Sequence, residues 1–185
     1  LQATLINGQI VILNAVLNID PNVPILGCMD ASANNYNPNA NTSLEYGGEA
    51  DNTFATGGFF SGNQHLIFNA SSELLIKSAQ FYADNPTTVT FELRSSNGAV
   101  LDDTTHSLSQ GQQQLILNFE VPIGNNMQLG ISNGNSDLYR NDAGAIYPYN
   151  IGSIMSITGT SAGSPGYYYF YYDIELRQSP EIYSL

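Results

Sequence analysis

The chain has 185 residues, sixteen acids against four cations (Lys77, Arg94, Arg140 and Arg177), and a formal net charge of −12. That balance excludes nucleic acid and anionic membrane surfaces as partners, because both require neutralising cations. No apolar run is long enough to cross a bilayer, and the single Cys excludes an internal disulfide.

Solubility comes from Asn, Gln, Ser, Thr and Gly more than from Lys and Glu, a balance common in extracellular β proteins. The length suffices for one β-rich domain with its own core and a short N-terminal appendage. The start at Leu1, without Met or a signal-peptide layout, reads as a mature or excised piece of a longer product.

Residues 1–26 come first. They are apolar and β-prone, with Leu5, Ile10, Ile12, Val16 and Leu17 among small polar residues, and Pro21 and Pro24 end them. Such a strand must pair with a sheet, its own or a neighbour's. Residues 27–50 are Asn-rich and helix-averse. Asn and Asp side chains bond nearby main-chain N–H groups and tolerate left-handed dihedrals, so the stretch reads as consecutive turns. Asp30, Asn34, Asn37 and Asn39 offer hard oxygen ligands for a structural calcium ion. Turn scaffolding without metal is the alternative. Cys28 is either buried and inert or pairs outside this chain.

Residues 51–177 read as short strands with turn signals about every ten residues, the pattern of an antiparallel β-sandwich; residues 178–185 form a tail. Val89, Phe91 and Leu93 alternate with Thr88, Thr90, Glu92 and Arg94. Asn97-Gly98 predicts a type I′ hairpin leading into Val100 and Leu101. Leu115, Leu117, Phe119 and Val121 alternate again, and Pro122-Ile123-Gly124-Asn125-Asn126 turns the chain into Met127, Leu129 and Ile131. The last strand, Tyr167 to Leu176, carries a tyrosine run. A period of two predicts Tyr168, Phe170, Tyr172, Ile174 and Leu176 in the core, with Tyr167, Tyr169, Tyr171, Asp173 and Glu175 on the opposite face. That second row reads as cross-strand packing or as a ligand platform.

Two groups of residues carry a resemblance. Gly27-Cys28-Met29-Asp30, Ala33-Asn34-Asn35-Tyr36-Asn37-Pro38-Asn39-Ala40 resembles a connector of secreted Bacteroidetes proteins, Gly-Cys-x-Asp followed by Asn-Tyr-x-Pro-x-Ala, although Thr42 to Gly48 supplies no second Cys. Thr53-Phe54, Phe81-Tyr82, Asn97-Gly98, Gly111, Leu115 to Phe119, Val121 to Gly124, Leu138 to Asn141, Tyr147-Pro148-Tyr149 and the tyrosine run resemble β-sandwich accessory domains. Those domains belong to large proteins exported by the type IX secretion system. The resemblance implies a jelly-roll-like fold, an extracellular or cell-surface location, and binding rather than chemistry. It also makes Asp103-Thr104-Thr105 a candidate O-glycosylation motif.

Candidate chemistry is sparse. His65 and His106 stand apart from any nucleophile elbow or metal-ligand spacing and read as strand surface residues. Neighbouring acids such as Asp102 and Asp103 point to opposite faces of a strand, so they cannot act as a pair across a cleft. The chain is therefore read as non-catalytic. Asp51 and Asp173 form a second calcium candidate beside the terminal strands. The best binding candidate is the segment from Asp137 to Asn150: Tyr139, Tyr147 and Tyr149 offer aromatic faces, while Arg140, Asn141 and Asp142 offer planar polar groups for sugar hydroxyls. Arg140 beside Asp137 and Asp142 also reads as a loop pin. The leading expectation is an extracellular module binding glycan or another surface. The alternative is a structural subunit assembled by strand addition through residues 1–26.

Overall fold

The computed structural model describes residues 3–4, 10–11, 44–132 and 136–178. Among them there is no helix, and every strand pairing is antiparallel. Strands β1 (Ala3–Thr4) and β2 (Ile10–Val11) pair with each other and join neither of the main sheets.

Two sheets make the body. The first runs β12 (Tyr149–Ile151), β13 (Met155–Thr160), β5 (Leu66–Ala70), β10 (Gly124–Ile131), β7 (Thr87–Arg94) and β8 (Val100–Leu108). The second runs β9 (Gly111–Val121), β6 (Leu74–Ala83), β15 (Tyr172–Gln178) and β3 (Leu44–Gly47). At one end of β6 this sheet is extended by β11 (Leu138–Asn141), flanked by β4 (Gly57–Phe60) and β14 (Tyr168–Tyr169). The order β8–β7–β10–β5 opposite β9–β6–β15–β3 is the strand order of a jelly roll, so the expected all-β sandwich is the fold. Leu44 to Gly47, inside the stretch read as connector, is a strand of the second sheet, with Leu44 opposite Arg177.

Alternation explains the layers. Val89, Phe91 and Leu93 of β7, Leu66 and Phe68 of β5, and Leu129 and Ile131 of β10 point inward and are buried. From the other sheet Leu74, Ile76 and Phe81 of β6 and Leu117, Phe119 and Val121 of β9 meet them. Phe81 and Phe91 touch across the layers with ring centroids 4.3 Å apart. Each such buried side chain contributes about 1.5–3 kcal/mol of transfer free energy. Along one margin β8 lies beside β9, and along the other β12 lies beside β3, so both flanks of the sandwich are covered.

Two local expectations need correction. The hairpin between β7 and β8 is present, but only Gly98 has a positive φ, 84°. Gly98 N donates to Ser95 O and Ser95 N to Ala99 O, which is a three-residue loop ending in a left-handed glycine rather than a type I′ turn. Asn97 spends its side chain on the loop, its Oδ1 accepting from Ser95 Oγ at 2.6 Å and Ala99 N at 3.1 Å.

The tyrosine run is the larger departure. It is two strands, β14 and β15; Phe170 in the break has a φ of 65°, and Asp173, at an irregularity early in β15, has one of 43°. Tyr171 N donates to Tyr169 O two residues back, closing a three-residue turn. The left-handed Phe170 rotates the chain beyond it, so both parities of the run reach the interior. Tyr169 and Tyr171, expected on the opposite face, are therefore buried with Tyr168, Phe170 and Tyr172.

Candidate functional site

The outer face of the second sheet, at the β11 end, gathers three aromatic rings. In the β11–β4 register Tyr139 lies opposite Phe59 and Leu138 opposite Phe60. Alternation sends Leu138 and Phe60 toward the core and leaves Tyr139 and Phe59 on the outside. Leu138 also faces Ala83 of β6, which brings the outward Tyr82 next to them. The rings of Phe59 and Tyr139 meet edge to face at 5.4 Å, and Tyr82 follows at 6.4 Å from Tyr139. Phe59 is 46% exposed, while Tyr82 and Tyr139 are half-buried.

Amides border this aromatic row. Gln112 and Gln114 of β9 lie opposite Tyr82 and Gln80 of β6. Gln112 Nε2 donates to Gln80 Oε1 at 2.7 Å, and Gln80 Nε2 donates to the Tyr82 hydroxyl. Gln114 Nε2 donates to Ser78 Oγ at 3.0 Å, and Ser78 Oγ donates to Glu175 Oε2 at 2.9 Å. Each chain uses one N–H of its glutamine amide, and the carbonyl oxygens of the exposed Gln112 and Gln114 accept no hydrogen bond from the described residues. Burial pushes the Tyr82 hydroxyl pKa up, so it remains a neutral hydrogen-bonding group across physiological pH. Apolar ring faces beside fixed, uncharged acceptors match a saccharide, whose ring carries C–H on its faces and hydroxyls at its edge.

The segment from Asp137 to Asn150 does not form one binding loop. Strand alternation separates Tyr139 from Arg140. Arg140 turns to the other side, with its guanidinium carbon 5.4 Å from the centre of the Phe60 ring and 5.0 Å from that of Tyr167. Its Nη1 lies 2.9 Å from Asp142 Oδ2, and Asp142 Oδ1 accepts from Thr56 Oγ1 at 2.9 Å. These two partners hold the Asp142 carboxyl below its usual range, Arg140 more than Thr56. The carboxylate of Asp137 accepts from Ser61 instead. Arg140 is thus a pin through Asp142 and through cation–π contact.

Asn141 is fully buried. Its Nδ2 donates to the carbonyls of Asn52 at 3.0 Å and Ala55 at 2.8 Å, and its Oδ1 accepts from the Tyr172 hydroxyl at 2.8 Å. It fastens the loop before β4 over the second sheet. Every strong valence of that amide is used inside the protein.

Tyr147 and Tyr149 turn onto the tyrosine cluster. The Tyr147 hydroxyl donates to Tyr167 O at 2.7 Å, and its ring stacks on Tyr168 at 6.4 Å. Tyr149 donates to a carboxylate oxygen of Glu49 and accepts from Ile146 N at 2.9 Å. Burial and the Glu49 carboxylate push its pKa up to about 12. Beneath them the Tyr168 hydroxyl donates to Tyr171 O at 2.9 Å and accepts from Glu49 N. A β-carbon on Gly48, which has a φ of 77°, would collide with that hydroxyl, so the position fits glycine alone. The Tyr171 hydroxyl crosses to Gly130 O of the opposite sheet.

The remaining candidates separate. His65 precedes β5 and is half-buried rather than a strand surface residue; burial first, and the Arg94 cation second, lower its pKa. His106, also half-buried, stands on β8 with Nε2 2.9 Å from Ile116 O. Asp51 accepts from Thr53 Oγ1 at 2.6 Å and Thr53 N at 2.7 Å, bonds that hold its carboxyl below the usual range. Among the described residues no three His, Cys, Asp or Glu side chains converge on one point. Cys28, Asp30, Asn34, Asn37 and Asn39 lie outside the described residues.

Of the expected binding residues, Tyr139 joins the outer-face row. Phe59, Tyr82, Gln80, Gln112 and Gln114 complete it without having been singled out as a site. The spacing of Gln112 and Gln114, two apart on a strand, is the signal that places them on one face. No family model matches the chain, and no curated protein or solved structure shows significant similarity to it.

Proposed function

We propose that this chain is a non-catalytic extracellular module of a larger secreted or cell-surface bacterial protein, holding glycan on the outer face of its second sheet. The observation that carries the reading is the row of Phe59, Tyr139 and Tyr82 bordered by the Gln80–Gln112 and Gln114–Ser78 bonds. Three rings at 5.4 and 6.4 Å spacing suit an extended chain of sugar units better than a single ring. The acceptors are pre-oriented, so little side-chain freedom is lost on binding. The connector resemblance supports the extracellular address and the accessory role.

Affinity electrophoresis against a panel of soluble polysaccharides tests the reading. At least one neutral polysaccharide should retard the protein, and Tyr139→Ala or Tyr82→Ala should remove most of that retardation. Unretarded migration across the panel, or retardation that both variants keep, would sink it.

A further inference from the structure

A second polar site lies on the outer face of the first sheet, at the opposite end of the sandwich. It is a cleft of about 330 Å³, at the lower end of the range for small-molecule sites. Its wall is a ladder across three neighbouring strands: Asn69 of β5 lies opposite Ser156 of β13, which lies opposite Asn150 of β12. Asn125, in the irregular start of β10, closes the row, and Ser153 stands at the β12–β13 turn. Ala70, Ile154 and Met155 also border the cleft, and they are buried in the core.

The hydrogen bonds within the row orient it without exhausting it. Asn69 Oδ1 accepts from Asn126 N at 2.8 Å, which directs its Nδ2 away from that main chain. Ser156 Oγ donates to Asn150 Oδ1 at 2.8 Å, so Ser156 keeps its acceptor capacity and Asn150 keeps its Nδ2. The Asn125 side chain has no protein partner among the described residues. Adjacent strands are about 4.8 Å apart, so donors and acceptors repeat at intervals that adjacent hydroxyls of one sugar ring, with their C–O bonds splayed, reach together. The lining contains no ionisable side chain, in a protein with sixteen acids, although the side chain of Glu45 packs near Gly152 at the rim.

We propose that this cleft is a second saccharide site, taking one neutral hexose-sized unit by its hydroxyls. It differs from the aromatic row in kind. With no ring to stack on, it grips a terminal unit by amide and hydroxyl bonds and discriminates against carboxylated sugars, which find no cation there. The two sites lie on different sheets and at different ends, so a module carrying both can engage two chains.

The test is a set of NMR titrations of the intact ¹⁵N-labelled protein with D-glucose, D-galactose, D-mannose, L-fucose and D-glucuronate. At least one neutral sugar should shift the side-chain amide signals of Asn69, Asn125 and Asn150, with a dissociation constant on the order of 1–10 mM. Glucuronate should leave them in place. Asn150→Ala, and separately Ser156→Ala, should weaken the effect about tenfold while the backbone spectrum stays native. No shift in the three amides with any neutral sugar overturns the proposal. So do equal shifts with glucuronate, or shifts that survive both substitutions. Shifts confined to Tyr82 and Tyr139 would overturn the cleft and leave the aromatic row standing; shifts confined to the cleft would support the cleft, while the aromatic row, which suits an extended chain, stands or falls on the polysaccharide panel.

Discussion

The tyrosines around β14 and the aromatics beside β11 are the same side chains put to opposite uses. Around β14 the hydroxyls are spent inside: Tyr147 on Tyr167 O, Tyr149 on Glu49, Tyr168 on Tyr171 O, Tyr171 on Gly130 O and Tyr172 on Asn141. Beside β11, Phe59, Tyr82 and Tyr139 keep ring surface toward solvent, and the side-chain amides of Gln80 and Gln112 border them. A buried phenol without a partner costs about 1–3 kcal/mol, and each of these five hydroxyls has an acceptor. An exposed phenol meets water and bears no such penalty. Aromatic content alone therefore does not locate a binding surface; where the hydroxyl goes does.

The comparison breaks most clearly in the interior. Tyr172→Ala, at a fully buried position, should cost about 3–5 kcal/mol in urea unfolding, because it leaves a hole beneath the loop that Asn141 fastens over the second sheet. A loss below about 1 kcal/mol would mean that the cluster is not core. Asn141→Ala should cost about 2–3 kcal/mol, since it strands the Tyr172 hydroxyl and frees two carbonyls of the loop before β4. Faster amide exchange around residues 52–56 should accompany that loss.

Tyr139→Ala should separate the two regions. Stability should change by less than about 1 kcal/mol, while retention on a bound polysaccharide falls about tenfold, equivalent to about 1.4 kcal/mol. An equal loss of stability and binding would place Tyr139 with the interior set instead.

The smallest effect is on pH. The folded-state pKa of His65 lies below its unfolded value of 6.5, so the unfolded chain takes up a proton more readily. The contribution of neutral His65 is fully present above about 6.5 and is lost as pH falls through the window between 6.5 and the lower folded value. The melting temperature should therefore drop modestly between about pH 7 and about pH 5. His65→Gln should flatten that slope, and an unchanged slope would rule His65 out as its source.

Much of the fold is legible because period-two patterning is written locally. Val89 to Leu93 and Leu115 to Val121 declare their buried faces in five and seven residues, and both faces are as expected. The tyrosine run misleads for the opposite reason. A left-handed Phe170 has no local signature, because it is imposed by packing between the sheets. The site is legible only in part for a related cause. Tyr139 and Arg140 are neighbours in sequence and stand on opposite sides of β11, whereas Tyr82 and Tyr139 lie 57 positions apart and meet across two strands. Proximity along a strand misleads whenever a site is built across one.

The pairing of Leu44 with Arg177 has a mechanical meaning. The polypeptide enters the sandwich on β3 and leaves it on β15 at one pole, side by side, while Tyr82 lies eight residues along β6 from that pole, roughly 25 Å away. Tension applied through both strands would peel their ladder open bond by bond, like a zipper, instead of shearing all of it at once. A tethered copy would accordingly hold its aromatic row outermost, and give way first at its root.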